Sequence, residues 1–273
     1  MKWTLMRFLL RTVGRLSEGI RIGYRHGFDS GTMLDYVYAN EPHGRLGLGK
    51  LIDRVYLNAV GWRAIRARRA LLHDVLREEV SARAGRALIL DVASGPGRYL
   101  QDLAREQPET QVVCRDLTPD GLTLGKKQAA ARGLTNIVYE QGDAFEPAPL
   151  DRPADIIVVS GLYELILAEE QISTSVARLR DLLAPDGVLI FTTQTRHPQL
   201  EFIANVLPNR DGALWVMECR SVQQAHGWAR EAGFEDVVSR MEKVGLFAVT
   251  TAQNAGVPHS RRLDQEACET GRL

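Results

Sequence analysis

The chain has 273 residues, and its 34 Lys and Arg balance 34 Asp and Glu, so its formal net charge at neutral pH is zero. This length suffices for one well-buried core with an appendage. Three widely spaced cysteines, Cys114, Cys219 and Cys268, argue for a reducing compartment and against structural zinc, and we predict no metal site. No run approaches the roughly 18 apolar residues that cross a bilayer. We therefore expect a cytoplasmic protein, soluble or peripheral to the inner face of the membrane.

The balanced total hides an uneven charge distribution. Residues 1–86 carry 16 basic against 8 acidic side chains, whereas residues 87–273 carry 18 against 26. Such a split indicates that the first part either faces something anionic or packs against the acidic remainder.

Residues 2–22 have the pattern of one amphipathic helix. Apolar side chains such as Met6, Leu9 and Val13 recur on one face, with Arg7 and Arg11 opposite. Two interpretations stay open: the helix docks on the protein's own core, or it lies on an anionic membrane surface.

Residues 27–49 are rich in turn formers and aromatic residues, and they predict a long functional connection. Helical periodicity returns at about residues 51–59 and 62–80. Residues 1–85 are therefore predicted to form a helical cap. Its tyrosines Tyr36, Tyr38 and Tyr56 either line an acceptor pocket or serve only as packing.

A strand that breaks into a helix through Gly-x-Gly follows at residues 87–100. The apolar run at 88–90 predicts a strand buried on both faces, and Gly95 and Gly97 allow a ligand to approach the backbone at a helix N-terminus. The dinucleotide fingerprint requires a third small residue where Leu100 stands, so NAD is disfavoured.

Further strands and helices alternate along the rest of the chain. Strands are predicted at residues 111–115, 137–140, 155–160 and 188–193, followed by a terminal pair at 237–241 and 246–251, with helices between most of them. This order predicts an α/β fold with a doubly wound, mostly parallel seven-stranded sheet over residues 86–251. Residues 252–273 turn polar and are predicted to be a disordered tail.

Acidic residues follow two of these strands. Asp116 ends the second strand 19 residues after Gly97, where a carboxylate can accept both ribose hydroxyls. Asp143 follows the third strand in a Gly-Asp-Ala turn. Taken alone, Asp143 is a turn former.

The order and spacing of these motifs resemble the core of class I S-adenosylmethionine (SAM) methyltransferases, which are Rossmann-like. In that family an acidic strand end such as Asp91 precedes the glycine turn, and Ala93 here replaces the usual first glycine. The resemblance implies SAM as cofactor and Asp143 as the adenine contact. The cofactor-binding residues that it implies are Asp91, Ala93, Ser94, Gly95, Gly97, Asp116, Leu117, Asp143, Ala144 and Ser160. An arginine of the cap, Arg63 or Arg66, is the candidate partner for the methionine carboxylate.

The front of the chain is similar to a smaller group of bacterial methyltransferases that are sometimes fused to an α/β-hydrolase. The similarity lies in residues 27–31, 34–38 and 57–63. It implies methyl transfer without assigning an acceptor, and the hydrolase association suggests a lipid or another apolar small molecule, by analogy alone.

Three residues at strand ends are candidates for a general base: Tyr163, Glu164 and His197. A base is needed only for a hydroxyl or a protonated amine. Each also has a structural interpretation, since Glu164 can favour a helix start and His197 precedes a proline in a turn. The acceptor is thus predicted to be a small molecule or lipid, methylated on oxygen or nitrogen.

Other functions stay open as alternatives. The chain could be a SAM-binding regulator or a membrane-recruited binding module without catalysis. We predict no DNA partner, because no Asn/Asp-Pro-Pro-Tyr/Phe motif follows the fourth strand and no Pro-Cys nucleophile is present, and RNA is a less favoured substrate.

Overall fold

A seven-stranded sheet forms the centre of the computed structural model, which describes residues 2–254. Its strands are β1 (Leu88–Asp91), β2 (Gln111–Asp116), β3 (Ile137–Gln141), β4 (Ala154–Val159), β5 (Leu183–Gln194), β6 (Phe234–Met241) and β7 (Phe247–Asn254). Their spatial order is β3-β2-β1-β4-β5-β7-β6. The first five strands are parallel, and β7 runs antiparallel to both β5 and β6. The predicted doubly wound, mostly parallel sheet is therefore confirmed.

Alternate strand residues point to opposite sides of the sheet, and both sides carry apolar side chains, so helices cover both faces. Ile89 and Ile156 pack on the face of α5 (Val60–Ala82), α6 (Arg98–Glu106) and α7 (Pro119–Ala131). Leu90 and Ile157 pack on the face of α8 (Glu169–Arg180) and α10 (Val222–Glu231). The order reverses between β1 and β4, and ligands of open α/β sheets bind outside the strand carboxyl ends at such a point.

A third apolar core joins the front of the chain to the sheet. It is built by α2 (Glu18–His26), α3 (Gly31–Ala39), α4 (Leu46–Leu57) and the first half of α5, together with α9 (Leu200–Val206) and the start of β7. Buried Trp62 and Ile65 of α5 belong to this core, whereas Leu72 and Leu76 of the same helix pack on the sheet. Helix α5 therefore contributes to both cores, and it ends just before the boundary predicted between residues 85 and 86. The division into domains stays a prediction.

Asp53 ties the cap together from inside. Its side chain is fully buried, and its carboxylate accepts the hydroxyls of Ser17 and Tyr36. It also accepts the backbone N–H groups of Gly19, at 2.8 Å, and His43, at 2.9 Å. A buried charge with this many donors is satisfied, which makes Asp53 a structural residue.

The single helix predicted over residues 2–22 is wrong. Helix α1 (Lys2–Arg11) ends before a short 3-10 turn (Val13–Leu16), and α2 begins after Ser17. Ser17 caps α2 by accepting the backbone N–H of Ile20 at 3.0 Å. The apolar spacing continues across the break, but this cap redirects the chain.

Two further expectations are corrected. Residues 27–49 do not form a plain connection, because α3 lies within them, capped at its start by Ser30 and ended by Asn40 at a φ of 53°. Residues 252–254 do not begin a tail, because they complete β7. Residues 255–273, the rest of the predicted tail, lie outside the described residues.

Over residues 2–254, no helix is both long enough and apolar enough to cross a membrane.

Candidate functional site

The glycine-loop cavity lies at the carboxyl ends of β1, β2 and β4 and has a volume of about 220 Å³. Its walls are residues 92–99, 116–118, 143–145 and 160–162, together with Arg210 and cap residues between Asp29 and Tyr38. Most of the predicted cofactor-binding residues line it: Ala93, Ser94, Gly95, Gly97, Asp116, Leu117, Asp143, Ala144 and Ser160. The structure therefore brings together residues that are separated by up to 67 positions in sequence.

The loop can follow its path only because it is made of glycine. Gly95 has a φ of 52° and Gly97 a φ of 63°, a region that other residues rarely adopt. A Cβ atom on Gly97 would lie 2.9 Å from the Cys114 sulfur, and one on Gly95 would lie 3.2 Å from the Cα of Gly31 at the start of α3. The cap therefore approaches the loop backbone to backbone.

Asp116 is positioned by the same loop. Its Oδ2 accepts the backbone N–H of Gly95 at 2.8 Å, and its Oδ1 accepts the backbone N–H and the hydroxyl of Thr118 at 2.9 and 2.6 Å. A carboxylate has about four acceptor positions, so one on Oδ2 is left for a ligand. Asp143 is similar: its Oδ1 accepts the backbone N–H of Phe145 at 2.8 Å, which leaves its Oδ2 for a ligand.

Asp91 does not line the cavity, contrary to its assignment as a cofactor-binding residue. It is fully buried behind the loop, where it accepts the backbone N–H of Ala93 at 3.1 Å and the hydroxyl of Tyr99. Burial raises the pKa of this carboxyl to about 7. Asp91 therefore acts on the site through Ala93 and Tyr99, which do line the cavity.

The predicted arginine partner is also wrong. Arg63 is exposed, and neither Arg63 nor Arg66 lines the glycine-loop cavity. Burial lowers the pKa of Arg66. The arginines on the wall of the glycine-loop cavity are Arg98 and Arg210.

Acidic cap residues orient these two arginines. Arg98 forms a bidentate pair with Asp35, with N–O distances of 2.6 and 2.8 Å. Arg210 donates its backbone N–H to Asp29 at 2.7 Å and its Nε to the same carboxylate at 3.4 Å. Both pairs join the cap to the remainder of the site.

A second cavity, the apolar cavity, lies between the cap and α9 and has a volume of about 120 Å³. Its wall is mostly apolar and aromatic, and it includes Leu10, Phe28, Tyr56, Trp62, Phe202, Ile203, Trp215 and Phe247. The Trp62 and Trp215 rings are stacked with their centroids 6.4 Å apart. Asp29, Leu34 and Gly161 line both cavities, so the two are neighbours with a common wall.

A buried ion pair stands on the wall of the apolar cavity. Arg68 Nη1 donates to Glu164 Oε1 at 2.8 Å, and the two side chains are 2% and 5% exposed. Within residues 2–254, Arg68 Nε and Glu164 Oε2 have no hydrogen-bond partner. Burial raises the pKa of the Glu164 carboxyl, although the Arg68 charge opposes the rise. An unpartnered buried oxygen is costly, so it is a candidate contact for a ligand.

Tyr163, the residue before Glu164, is wrong as a catalytic candidate. Its ring lies in the apolar core under α8 and α10, where it packs on Phe191 and Trp228. Its hydroxyl lies 3.1 Å from that of Ser175. Burial raises the pKa of this phenol. Tyr163 lines neither cavity and has a packing role.

His197, in contrast, lies on the wall of the apolar cavity. Its Nδ1 accepts the backbone N–H of Gln199 at 3.1 Å, and burial lowers the pKa of the ring. The neutral ring therefore carries its proton on Nε2, which faces Gly61: a Cβ there would lie 2.6 Å from Nε2. In this arrangement Nε2 of His197 is a hydrogen-bond donor.

Sequence reasoning missed Asp35, Arg68, Arg98 and Arg210. Only Arg98 had a usable signal, because it directly follows Gly97 at the helix N-terminus. Arg68 was one of several arginines in a run on α5, and the other two lie in segments without a clear period.

Among residues 2–254, no group of three or more His, Cys, Asp or Glu side chains is arranged to hold a metal ion.

Comparison with known proteins gives the family. Residues 1–254 match the family described as "Putative methyltransferase". The uncharacterized protein YnbC of Escherichia coli K12 is 40% identical over 260 residues, which are 92% of this chain and 44% of that protein. A demethylmenaquinone methyltransferase of Deinococcus radiodurans is 29% identical over 142 residues, which are 51% of this chain and 53% of that protein. The chain thus spans about half the length of these relatives.

A solved structure agrees at the level of the fold. The magnesium protoporphyrin IX methyltransferase ChlM of Synechocystis PCC 6803, solved with bound SAH, superposes with a TM-score of 0.60 and 13% identity over 85% of this chain and 99% of that one. The glycine loop, the sheet order and the match over residues 1–254 together establish that the chain belongs to this methyltransferase family and has the class I fold of SAM-dependent methyltransferases.

Proposed function

We propose that the chain transfers the methyl group of SAM to a small apolar molecule that carries an ionisable hydroxyl or amine. The observation that carries this proposal is the common wall of the two cavities at Asp29, Leu34 and Gly161. One cavity is lined by glycines and by the carboxylates Asp116 and Asp143, whereas the other is apolar and aromatic. A donor and an acceptor held in these neighbouring cavities would meet at that wall.

The residues of the glycine-loop cavity fit SAM. The remaining acceptor position of Asp116 Oδ2 would take a ribose hydroxyl, and Asp143 Oδ2 would take the adenine amino group. Arg98 or Arg210 would pair with the methionine carboxylate, in place of the predicted Arg66. Gly95 and Gly97 would let the loop backbone pass close to the ligand, because these two residues have no side chain.

When bound, SAM would supply an electrophilic methyl carbon: the acceptor's oxygen or nitrogen would bond to it as the carbon–sulfur bond breaks, with the electron pair of that bond going to sulfur in S-adenosylhomocysteine. The work of this chain is then to align the acceptor, exclude water and remove one proton. Glu164 is the favoured proton acceptor, because Oε2 has no partner and burial raises the pKa of its carboxyl. Arg68 would hold the carboxylate in place through Oε1. His197 is less suited, because Nδ1 already accepts a hydrogen bond.

An apolar acceptor agrees with the aromatic wall and with one relative. The Deinococcus radiodurans protein is named for demethylmenaquinone, although it matches only half of this chain. The apolar cavity has few polar atoms to bind a nucleic acid or a peptide, so RNA remains the less favoured substrate.

The first test is binding. Calorimetry with SAM or S-adenosylhomocysteine should detect binding to the purified chain. Asp116→Ala should weaken it at least about tenfold, since a hydrogen bond to a charged group contributes about 1.5–3 kcal/mol. Asp120→Ala, an exposed acidic residue four positions later, is the matched control and should bind normally. No heat with either ligand would refute the cofactor assignment.

The second test is turnover. Extracts incubated with the chain and methyl-labelled SAM should yield a labelled product in the organic phase. Glu164→Gln should lower turnover while leaving the SAM affinity unchanged, and that affinity also reports that the variant is folded. SAM binding without any S-adenosylhomocysteine formed would instead support the non-catalytic alternative.

A further inference from the structure

Two neighbouring helices of the cap expose a large apolar surface. None of the residues of α1 is buried, and the helix and its following turn expose Leu5, Met6, Phe8, Leu9 and Val13. Helix α4 exposes four more apolar side chains, Leu46, Leu48, Leu51 and Val55. Phe8 is 63% exposed and Leu46 is 82% exposed. Together the two helices and the turn expose nine large apolar side chains.

The two helices are joined through the turn that follows α1, because α4 packs on that turn. The backbone N–H of Arg45 donates to the carbonyl of Leu16 at 2.9 Å. Gly49 of α4 lies so close to the same carbonyl that an added Cβ would be 2.4 Å from the Leu16 oxygen. Helices α1 and α4 therefore both pack on the turn that ends at Leu16.

The charged residues of these two elements are predominantly basic. Residues 2–17 contain Lys2, Arg7, Arg11 and Arg15 and no acidic residue. Residues 45–57 contain Arg45, Lys50 and Arg54, and their one acidic residue, Asp53, is fully buried inside the cap. Lys2 pairs with exposed Glu201, but the surface as a whole is strongly basic.

Apolar side chains surrounded by cations match the surface of an anionic bilayer. The apolar groups would enter the boundary between headgroups and acyl chains, and each cation near the surface would add attraction to the anionic headgroups. An ordinary solvated surface does not need nine large exposed apolar residues in two adjacent elements. A protein partner would have to offer a surface that is both apolar and acidic.

We propose that this face of the cap docks the protein on an anionic lipid surface, through α4 as well as α1. The face lies beside the apolar cavity: Leu10 of α1 and Phe202 of α9 line that cavity, and α1 packs on α9. Docking would bring the cavity wall close to the bilayer. The binding itself does not depend on methyl transfer, so each proposal can fail without the other.

The test is flotation of the full chain with phosphatidylcholine vesicles, with and without phosphatidylglycerol, at low and high salt. We expect binding that requires the anionic lipid and weakens as salt rises. Phe8→Glu on α1 and Leu51→Glu on α4 should each reduce binding at least about tenfold, since each replaces an apolar group that would enter the bilayer with a charge.

Val238→Glu is the matched control, because Val238 is 54% exposed on edge strand β6. It should bind vesicles as the unchanged chain does, and thermal melts should show all three variants folded. No binding to anionic vesicles at low salt would overturn the proposal, as would equal loss in the Val238 variant. A dimer that Leu51→Glu converts to monomers, with no lipid binding, would assign the face to a second copy of the chain instead.

Discussion

Replacing Glu164 by glutamine removes the charge that faces Arg68 but keeps the shape of the side chain. Arg68 is 2% exposed, so its guanidinium cannot turn to water to replace the lost partner. Breaking a buried pair by removing one charge costs about 3–5 kcal/mol. Because the free energy of unfolding of a domain is about 5–15 kcal/mol, the variant should fold but with a much smaller free energy of unfolding.

The measurement is urea unfolding at neutral pH, supported by thermal melts. For a chain of this size about 1 kcal/mol shifts Tm by about 2–4 °C, so we expect Tm to fall by roughly 6–20 °C. The double variant Arg68→Met, Glu164→Leu replaces the pair with apolar side chains, which is often neutral or stabilising, and it should recover most of the loss.

Two results would contradict this reasoning. A loss below about 1 kcal/mol in Glu164→Gln would be typical of a solvated surface pair, and it would mean that water reaches the site. A double variant as unstable as the single one would mean that the pair is not the cause.

Three more predictions follow from the site. Burial raises the pKa of Asp91 from its ordinary 3.8 to about 7, so the folded state holds a proton that the unfolded state releases, and stability should fall as pH rises across that range. Asp91→Asn should flatten this fall in urea unfolding from pH 5 to pH 8, and parallel curves for the two proteins would refute the assignment. Gly97→Ala should lower both Tm and SAM affinity, because its φ of 63° and the Cys114 sulfur leave no room for a methyl group. An unchanged SAM affinity in calorimetry would contradict this. Gly61→Ala should displace His197 and lower turnover with little change in SAM affinity, and normal turnover would show that His197 needs no fixed position.

The sequence by itself determined the sheet and the glycine loop. Strands β1, β2 and β4 and the turn at Gly95 and Gly97 are local patterns, since burial on both faces requires an unbroken apolar run and a left-handed turn requires glycine. Asp116 was found because its distance along the chain from that turn is fixed by one helix and one strand. These features depend on neighbours in sequence, which is why spacing alone located them.

Only the tertiary structure decided which side chains face the cavities. Arg66 and Arg68 are two residues apart on α5, and Tyr163 and Glu164 are adjacent, yet in each pair only the second lines the apolar cavity. The cap reaches the glycine loop through Gly31, which is 64 positions away from Gly95. Direction and distant contact are set when helices and strands pack against each other, and a run of arginines or aromatic residues has the same pattern whichever of its members is buried.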